Sequence, residues 1–301
     1  MIQTAHFKNF QIDEQLIDAK QRNNTKISVV IPALNEAATI GPIVSSIYNK
    51  FIHDLPLIDE IVVIDGNSTD QTVRYAENAG AKVYRADHIH PEIVARGKGV
   101  ALWKSQFVTN GDLLVFIDSD ILDFDERFIY GLVGPLLFNH DYSFVKSFYK
   151  RPLLHGDDIW PKQGGRVTEI LVRPLLSAFL PSLAGLIQPL SGEYSIRRTL
   201  METMNIWSGY GVEIGLLLDI YFKGIMDQVI QVDMENRMHR NRSVEQLGKM
   251  SFSILQVIFN RLKKNNIVSV AQLFDTMIMC GESGFCNVES NEQELPCKQT
   301  Y

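Results

Sequence analysis

Cysteine is nearly absent. Only Cys280, Cys286 and Cys297 occur in 301 residues, all within the last 22. No CxxC spacing exists and no histidine lies near them, which excludes a cysteine-based zinc site. An odd number of thiols in a polar tail is also not a secreted disulfide framework, so a reducing, cytoplasmic setting is expected. Long apolar runs are missing too. The N-terminus lacks a basic segment followed by an apolar one, and so does not read as a signal peptide. The longest uncharged stretch runs from Pro174 to Gly192; its apolar part ends at Ile187 and contains Pro174 and Pro181. That is shorter than the roughly 20 apolar residues of a spanning helix, so no membrane segment is expected. There is no internal repeat and no low-complexity run. Positive charge is not in surplus, with 29 Lys and Arg against 35 Asp and Glu and a net charge of −6. Broad binding to nucleic acid or anionic membrane is therefore not expected, whereas a local basic pocket for a small anion is compatible with this balance.

What is present is an ordinary globular composition, 46% hydrophobic and 21% charged. Residues 1–25 are polar, with a short helix expected around Glu14 to Lys20. Near-continuous apolar runs at Ile27–Pro32, Glu60–Asp65 and Leu113–Ile117 read as buried parallel strands. Ala81–Arg85 is a further strand. Helical patterns occupy Ala37–Tyr48, Gln71–Ala79 and Val94–Val108. Such alternation predicts a doubly wound, mainly parallel α/β sheet. In such sheets ligands lie beyond the carboxyl ends of strands. Pro32 to Glu36, Asp65 to Asp70 and Asp118 to Asp120 all fall at these ends. In the second half, Asp141–Lys150 and Met226–Met234 read as strands. Val167–Leu180 and Gly211–Phe222 read as helices, with a loop-rich stretch at residues 181–196. Arg237–Arg242 reads as a basic turn. Ser243–Lys264 is a long amphipathic helix, and the polar tail after Cys280 is expected to be disordered.

Asp118-Ser119-Asp120 sets two carboxylates around one small residue at a strand end. That arrangement can hold a hard divalent cation. Taken alone it reads first as a helix cap with a solvated turn acid, and only in context as a metal site. Phosphatases of the haloacid dehalogenase type also use DxD, but after their first strand, whereas here it follows the fourth.

Three motifs in order, Val29-Val30-Ile31-Pro32-Ala33-Leu34-Asn35-Glu36, Asp65-Gly66-Asn67-Ser68-Thr69-Asp70 and Asp118-Ser119-Asp120, resemble the nucleotide-sugar glycosyltransferases of the GT-A fold. Four later segments narrow the match. They are Gly164-Gly165-Arg166-Val167-Thr168-Glu169, Gln188-Pro189-Leu190-Ser191-Gly192-Glu193-Tyr194, Gly209-Tyr210-Gly211-Val212-Glu213 and Arg237-Met238-His239-Arg240-Asn241. Over residues 10 to 265 the chain resembles the glucosyl-3-phosphoglycerate synthases. The resemblance implies a GT-A (Rossmann-like) sheet with a C-terminal α/β acceptor-binding region. Residues 26–150 would form the nucleotide-sugar half, 151–265 the acceptor half, and 266–301 an extension.

By resemblance, Pro32, Ala33, Leu34 and Glu36 line the nucleoside site, with Ser68 near it, and Lys98 contacts the nucleotide. Gly97 and Gly99 beside it suit close approach of backbone to a ligand. Asp118 and Asp120 hold Mg²⁺ or Mn²⁺ with His239, Asp120 being the more direct ligand and Ser119 lying between them. Gly165, Arg166, Val167 and Thr168 form the acceptor loop with Asn241, and Arg237 helps neutralise phosphate. Arg166 suits that role because a guanidinium grips phosphate bidentately. Leu190, Tyr210 and Glu213 hold the glucose. The reaction so implied moves glucose, with retention, from UDP- or GDP-glucose to the 2-hydroxyl of 3-phosphoglycerate. No carboxylate is compelled by spacing to act as nucleophile, so a front-face route is preferred, with Asp120, Glu213 and Arg166 as the catalytic set. The family also implies a homodimer. Two rivals share parts of this pattern. A polyprenyl-phosphate hexosyltransferase would need an apolar groove, for which Pro174–Ile187 is the candidate. A non-catalytic nucleotide-sugar sensor would have no need of Asp118, Asp120, His239 and Arg166 together.

Overall fold

The computed structural model describes residues 2–150, 165–238, 243–281, 284–290 and 292–301, and the backbone of 153–155 and 158–160. Its centre is an eight-stranded sheet. In chain order the strands are β1 (Gln3–His6), β2 (Ile27–Ala33), β3 (Glu60–Asp65), β4 (Lys82–Arg85), β5 (Leu113–Phe116), β6 (Phe144–Lys150), β7 (Tyr194–Arg197) and β8 (Val229–Asn236). Across the sheet they run β1-β8-β6-β7-β5-β2-β3-β4. Every pairing is parallel except those of β7, which runs antiparallel to both β5 and β6.

Helices cover both faces, which is why β2, β3 and β5 are buried along almost their whole length. Side chains alternate between the faces. Val29 and Ile31 join one core with Leu16 of α1 (Asp13–Arg22), Ile43 and Ile47 of α2 (Ile40–Tyr48) and Phe128 and Leu132 of α5 (Arg127–Phe138). Val30 joins the other, with Trp103 of α4 (Lys98–Ser105), Leu176 of α6 (Arg173–Phe179), Leu217 of α7 (Val212–Phe222) and Ile258 of α8 (Val244–Lys264). Helix α3 (Thr72–Asn78) packs on α2. Leu176, Leu180, Leu183 and Leu186 are buried, so the apolar Pro174–Ile187 stretch serves the core. No helix among the described residues is long and apolar enough to cross a membrane.

The structure corrects several expectations. The loop-rich stretch at 181–196 ends in β7, a central strand whose first residue pairs with both Phe116 and Lys146. Its four residues are too few for a periodic signal. Helix α4 is shorter than Val94–Val108. Gly97 has φ +121° and breaks the helix, and a Cβ on Gly99 would lie 1.7 Å from the Trp207 carbonyl oxygen. These glycines admit the neighbouring 207–209 backbone rather than a ligand. Helix α5 carries Gly131, Gly134 and Pro135, a composition with little helical signature. The tail is partly structured. Thr276–Gly281 pairs with Gly284–Glu289, and Glu294–Leu295 pairs with Ile206–Trp207, burying Leu295.

Candidate active site

The register of the sheet brings the carboxyl ends of β2, β3 and β5 to one edge, with Ala33 beside Asp65 and Val30 beside Phe116. Because β7 is antiparallel, its beginning reaches that edge, which delivers Gly192 and Glu193. The end of β8 arrives there after a bulge between Asp233 and Asn236, where Glu235 takes φ +65°. Bulges redirect a strand end; here the chain passes on to Arg237.

The first two loops are laced into one wall. Asp65 accepts the backbone N–H groups of Asn67 at 3.1 Å and Ser68 at 3.2 Å. Asn35, at φ +57°, donates its N–H to Ser68 Oγ at 2.9 Å and accepts the Thr69 N–H at 2.8 Å. Glu36 donates its N–H to Thr72 Oγ1 at 2.8 Å. Leu34 is left more than half exposed on this wall. The DxD turn is fastened to the same wall. Ser119 Oγ donates to the Pro32 carbonyl at 2.9 Å, and Thr39 Oγ1 donates to the Ser119 carbonyl at 2.6 Å. The tethering groups Asn35, Thr39, Asp65 and Thr72 have no role in the sequence reading, although Asn35 and Asp65 lie inside its motifs. The partners of Asn35, Thr39 and Thr72 lie about 30 to 80 residues away, a separation that local pattern cannot reveal, whereas Asp65 bonds within its own turn.

At the centre, charges alternate. Lys98 Nζ lies 2.5 Å from Asp118 and 2.7 Å from Glu213, in the first turn of α7. Arg237 Nη2 lies 3.3 Å from Asp118, 2.9 Å from Asp120 and 3.2 Å from Glu193. Arg237 also donates to the Tyr149 hydroxyl at 2.9 Å, which donates to Glu193 Oε2 at 2.5 Å. Sequence reasoning places Arg237 in a basic turn beside acceptor phosphate. The structure instead buries its guanidinium, 4% exposed, among three carboxylates. His239, Arg240, Asn241 and Gly164 lie outside the described residues.

Burial opposes the ionised form of Asp118, but Lys98 and Arg237 outweigh it and hold its carboxyl well below the usual range. Burial likewise opposes the charge on Lys98, yet Asp118 and Glu213 keep it protonated well above its ordinary value. Behind the cluster, Lys146 is buried and pushed down to about 8, with its Nζ 2.5 Å from the Ser191 carbonyl. Tyr194 is buried and its hydroxyl is pushed well up.

Formally, the carboxylates of Asp118, Asp120, Glu193 and Glu213 outnumber Lys98 and Arg237. The cluster keeps a negative surplus of hard oxygen donors, which is the chemistry a divalent Mg²⁺ or Mn²⁺ requires. Among the described residues no group of three or more His, Cys, Asp or Glu is arranged as a complete metal site, so the fit rests on the Asp118–Asp120 pair. Room for Asp118 depends on Gly192, where a Cβ would lie 2.2 Å from both carboxylate oxygens.

The other expected residues lie on neighbouring elements. Gly165 has φ +79° and precedes a helical run that opens with Arg166. A wide π-turn at Thr168–Val172 leads into α6. Val167 and Thr168 are buried, Leu190 is partly buried, and Tyr210 is 46% exposed. Arg173 pairs with Glu169 at 2.7 Å and donates to the carbonyls of Ala184, Leu186 and Ile187, fixing the chain that leads to Leu190.

Comparison with known proteins identifies the family. Residues 28–184 match the family described as glycosyl transferase family 2. A glucosyl-3-phosphoglycerate synthase of Petrotoga mobilis is 42% identical over 276 residues, covering 91% of this chain and 85% of that protein. One from Mycobacterium tuberculosis is 43% identical over 262 residues, covering 86% and 79%. A crystal structure of the M. tuberculosis glucosyl-3-phosphoglycerate synthase, in complex with Mn²⁺, UDP-glucose and phosphoglyceric acid, superposes with a TM-score of 0.87 at 36% identity, covering 99% of this chain and 98% of that one. Another, with Mg²⁺ and UDP, gives 0.84 at 37% identity, covering 99% of each chain. A GT-A edge with its charge cluster, joined to relatives of this similarity over nearly the whole chain, makes the protein a glycosyltransferase, and the chain belongs to the glucosyl-3-phosphoglycerate synthases of glycosyl transferase family 2.

Proposed function

We propose that the chain transfers glucose from a nucleoside diphosphate sugar, UDP-glucose before GDP-glucose, to the 2-hydroxyl of 3-phosphoglycerate with retention of configuration. The observation that carries the reading is the Lys98–Asp118–Arg237–Asp120 cluster at the carboxyl edge of the sheet. The M. tuberculosis complexes that hold UDP-glucose with phosphoglyceric acid, and UDP with glucosyl-3-phosphoglycerate, support it.

Asp118 and Asp120, with His239, would hold the divalent cation, which when bound supplies charge to offset the diphosphate. Lys98 and Arg237 are the chain's own cations beside that pair, and they stabilise negative charge growing on the leaving group. Leu34 and its loop meet the nucleoside. Tyr210 and Glu213 face the sugar. Arg166, Thr168 and Asn241 hold the acceptor and set its hydroxyl near the anomeric carbon, which lowers the entropic part of the barrier. Glu213, Glu193 and both aspartates are each engaged by a cation. That engagement supports a front-face route without an enzyme nucleophile, in which the leaving phosphate takes the acceptor proton. The burial of the Pro174–Ile187 leucines favours 3-phosphoglycerate over a polyprenyl acceptor. We read the active form as a homodimer on the family resemblance.

The acceptor assignment is tested by Arg166→Ala. Its KM for 3-phosphoglycerate should rise about tenfold or more, while that for UDP-glucose stays within about twofold. Equal rises for both substrates contradict the assignment.

A further inference from the structure

The segment carrying Tyr210 and Glu213 is clamped from two sides. On one side it lies against α4. The Val100 N–H donates to the Ser208 carbonyl at 3.1 Å, and Gly97 and Gly99 leave room for the 207–209 backbone. On the other side lies the C-terminal strap. Ile206–Trp207 pairs with Glu294–Leu295, and the Ser208 N–H donates to the Gln293 carbonyl at 2.9 Å. The Gln293 N–H in turn donates to Ser208 Oγ at 2.9 Å.

The next strap residue is Glu292. Its carboxylate accepts the Gly209 N–H at 2.9 Å and the Gly211 N–H at 3.4 Å. The Tyr210 backbone and the Ser253 hydroxyl also bond to it. Gly211 is the residue from which α7 starts. A carboxylate there satisfies N–H groups that the helix cannot, and it complements the helix dipole. The contact is built for closeness, because a Cβ on Gly209 would lie 2.3 Å from Glu292 Oε1. Two residues into α7, Glu213 is paired to Lys98, and Lys98 to Asp118. The strap is thus joined to the charge cluster through one short piece of backbone. Burial pushes the Glu292 carboxyl up, and the backbone N–H groups oppose that rise.

We propose that Glu292 is a positioning residue for sugar recognition: by holding the Gly209–Gly211 backbone it fixes Tyr210 and Glu213 where the hexose of the donor is bound. This inference rests on the proposed function, since it takes the Tyr210–Glu213 segment as the hexose wall. On this reading the strap contributes to donor selection as well as to packing, through its contact with the Gly209–Gly211 backbone.

The test compares UDP-glucose with UDP in calorimetric titrations of the full chain with Mn²⁺. Glu292→Ala should weaken UDP-glucose about tenfold and leave UDP within about twofold. Its KM for 3-phosphoglycerate should not move. Glu292→Gln, which keeps an acceptor oxygen, should recover UDP-glucose binding to within about threefold of the parent. Should Glu292→Ala fail to fold, Gly209→Ala, which displaces the carboxylate, carries the test with the same expected split. Equal weakening of UDP and UDP-glucose, or no weakening of either, overturns the proposal. Failure of the unaltered chain to bind either nucleotide overturns the functional reading itself, and this inference with it.

Discussion

Gly192 has no side chain because Asp118 occupies the space one would need. In Gly192→Ala the new Cβ meets both oxygens of Asp118 at 2.2 Å. The carboxylate must then leave Lys98 and Arg237, while the buried strands beneath are untouched. We expect activity to fall about a hundredfold, the loss typical when an electrostatic contact to the reacting charge is removed, with an unchanged circular dichroism spectrum. Retained activity would mean that the position of Asp118 is not critical. Lys146 gives a second prediction at this scale. Its ordinary value is 10.5, and burial lowers it to about 8. Below that value the amine is charged in the folded and the unfolded chain alike, and burying the charge costs stability. As pH rises from 8 towards 10.5 the folded chain loses the proton first, so stability rises. Lys146→Met lacks this rise. Urea midpoints at about pH 7.5 and pH 10 should show the parent gaining about 1–3 kcal/mol relative to the variant. Parallel behaviour of the two proteins would contradict the burial of a charged Lys146.

Among the elements, α8 shows how local chemistry sets boundaries. Ser243 Oγ accepts the Gln246 N–H at 3.2 Å, and the Gln246 side chain returns a bond to the Ser243 N–H at 3.1 Å. Ser243→Ala should cost about 1 kcal/mol in urea unfolding, with activity unchanged. A cost near zero would mean that this end of the helix is held by packing alone. The helix also carries Arg261, buried between Asp219 of α7 at 2.7 Å and Glu294 of the strap at 2.6 Å. The sequence makes α8, β2, β3 and β5 legible because each has an unbroken period or apolar run. It hides α5, whose glycines and proline look like a breaker, and β7, whose four residues sit in a stretch rich in Ser, Gly and Pro. Both are fixed by tertiary packing. Gly134 lies close against Phe10, and Tyr194 stacks on Phe144 with ring centroids 5.4 Å apart.

For the whole molecule, the sheet edge explains why the nucleotide-side residues were readable. Pro32 lies at the end of a strand, and Ser68, Asp118 and Asp120 follow strands, whose pattern is plain, so their convergence follows from topology. Glu193 stands in a motif as part of a sugar-side loop or a turn, but its pairing with a buried Arg237 was not readable, because it depends on an antiparallel strand and a bulge. The role of Glu292 was hidden for another reason: its partners lie some 80 residues earlier, in a different element. The central claim is that this edge and its charge cluster transfer glucose to 3-phosphoglycerate with the help of a divalent cation. The most direct test follows nucleotide release from UDP-glucose with Mg²⁺, with and without 3-phosphoglycerate, before and after EDTA, and identifies the product by mass spectrometry and its anomeric configuration by NMR. The account predicts release that requires the acceptor, stops with EDTA and yields a glucosylated phosphoglycerate with the donor's configuration. No stimulation by 3-phosphoglycerate from either UDP-glucose or GDP-glucose would contradict it.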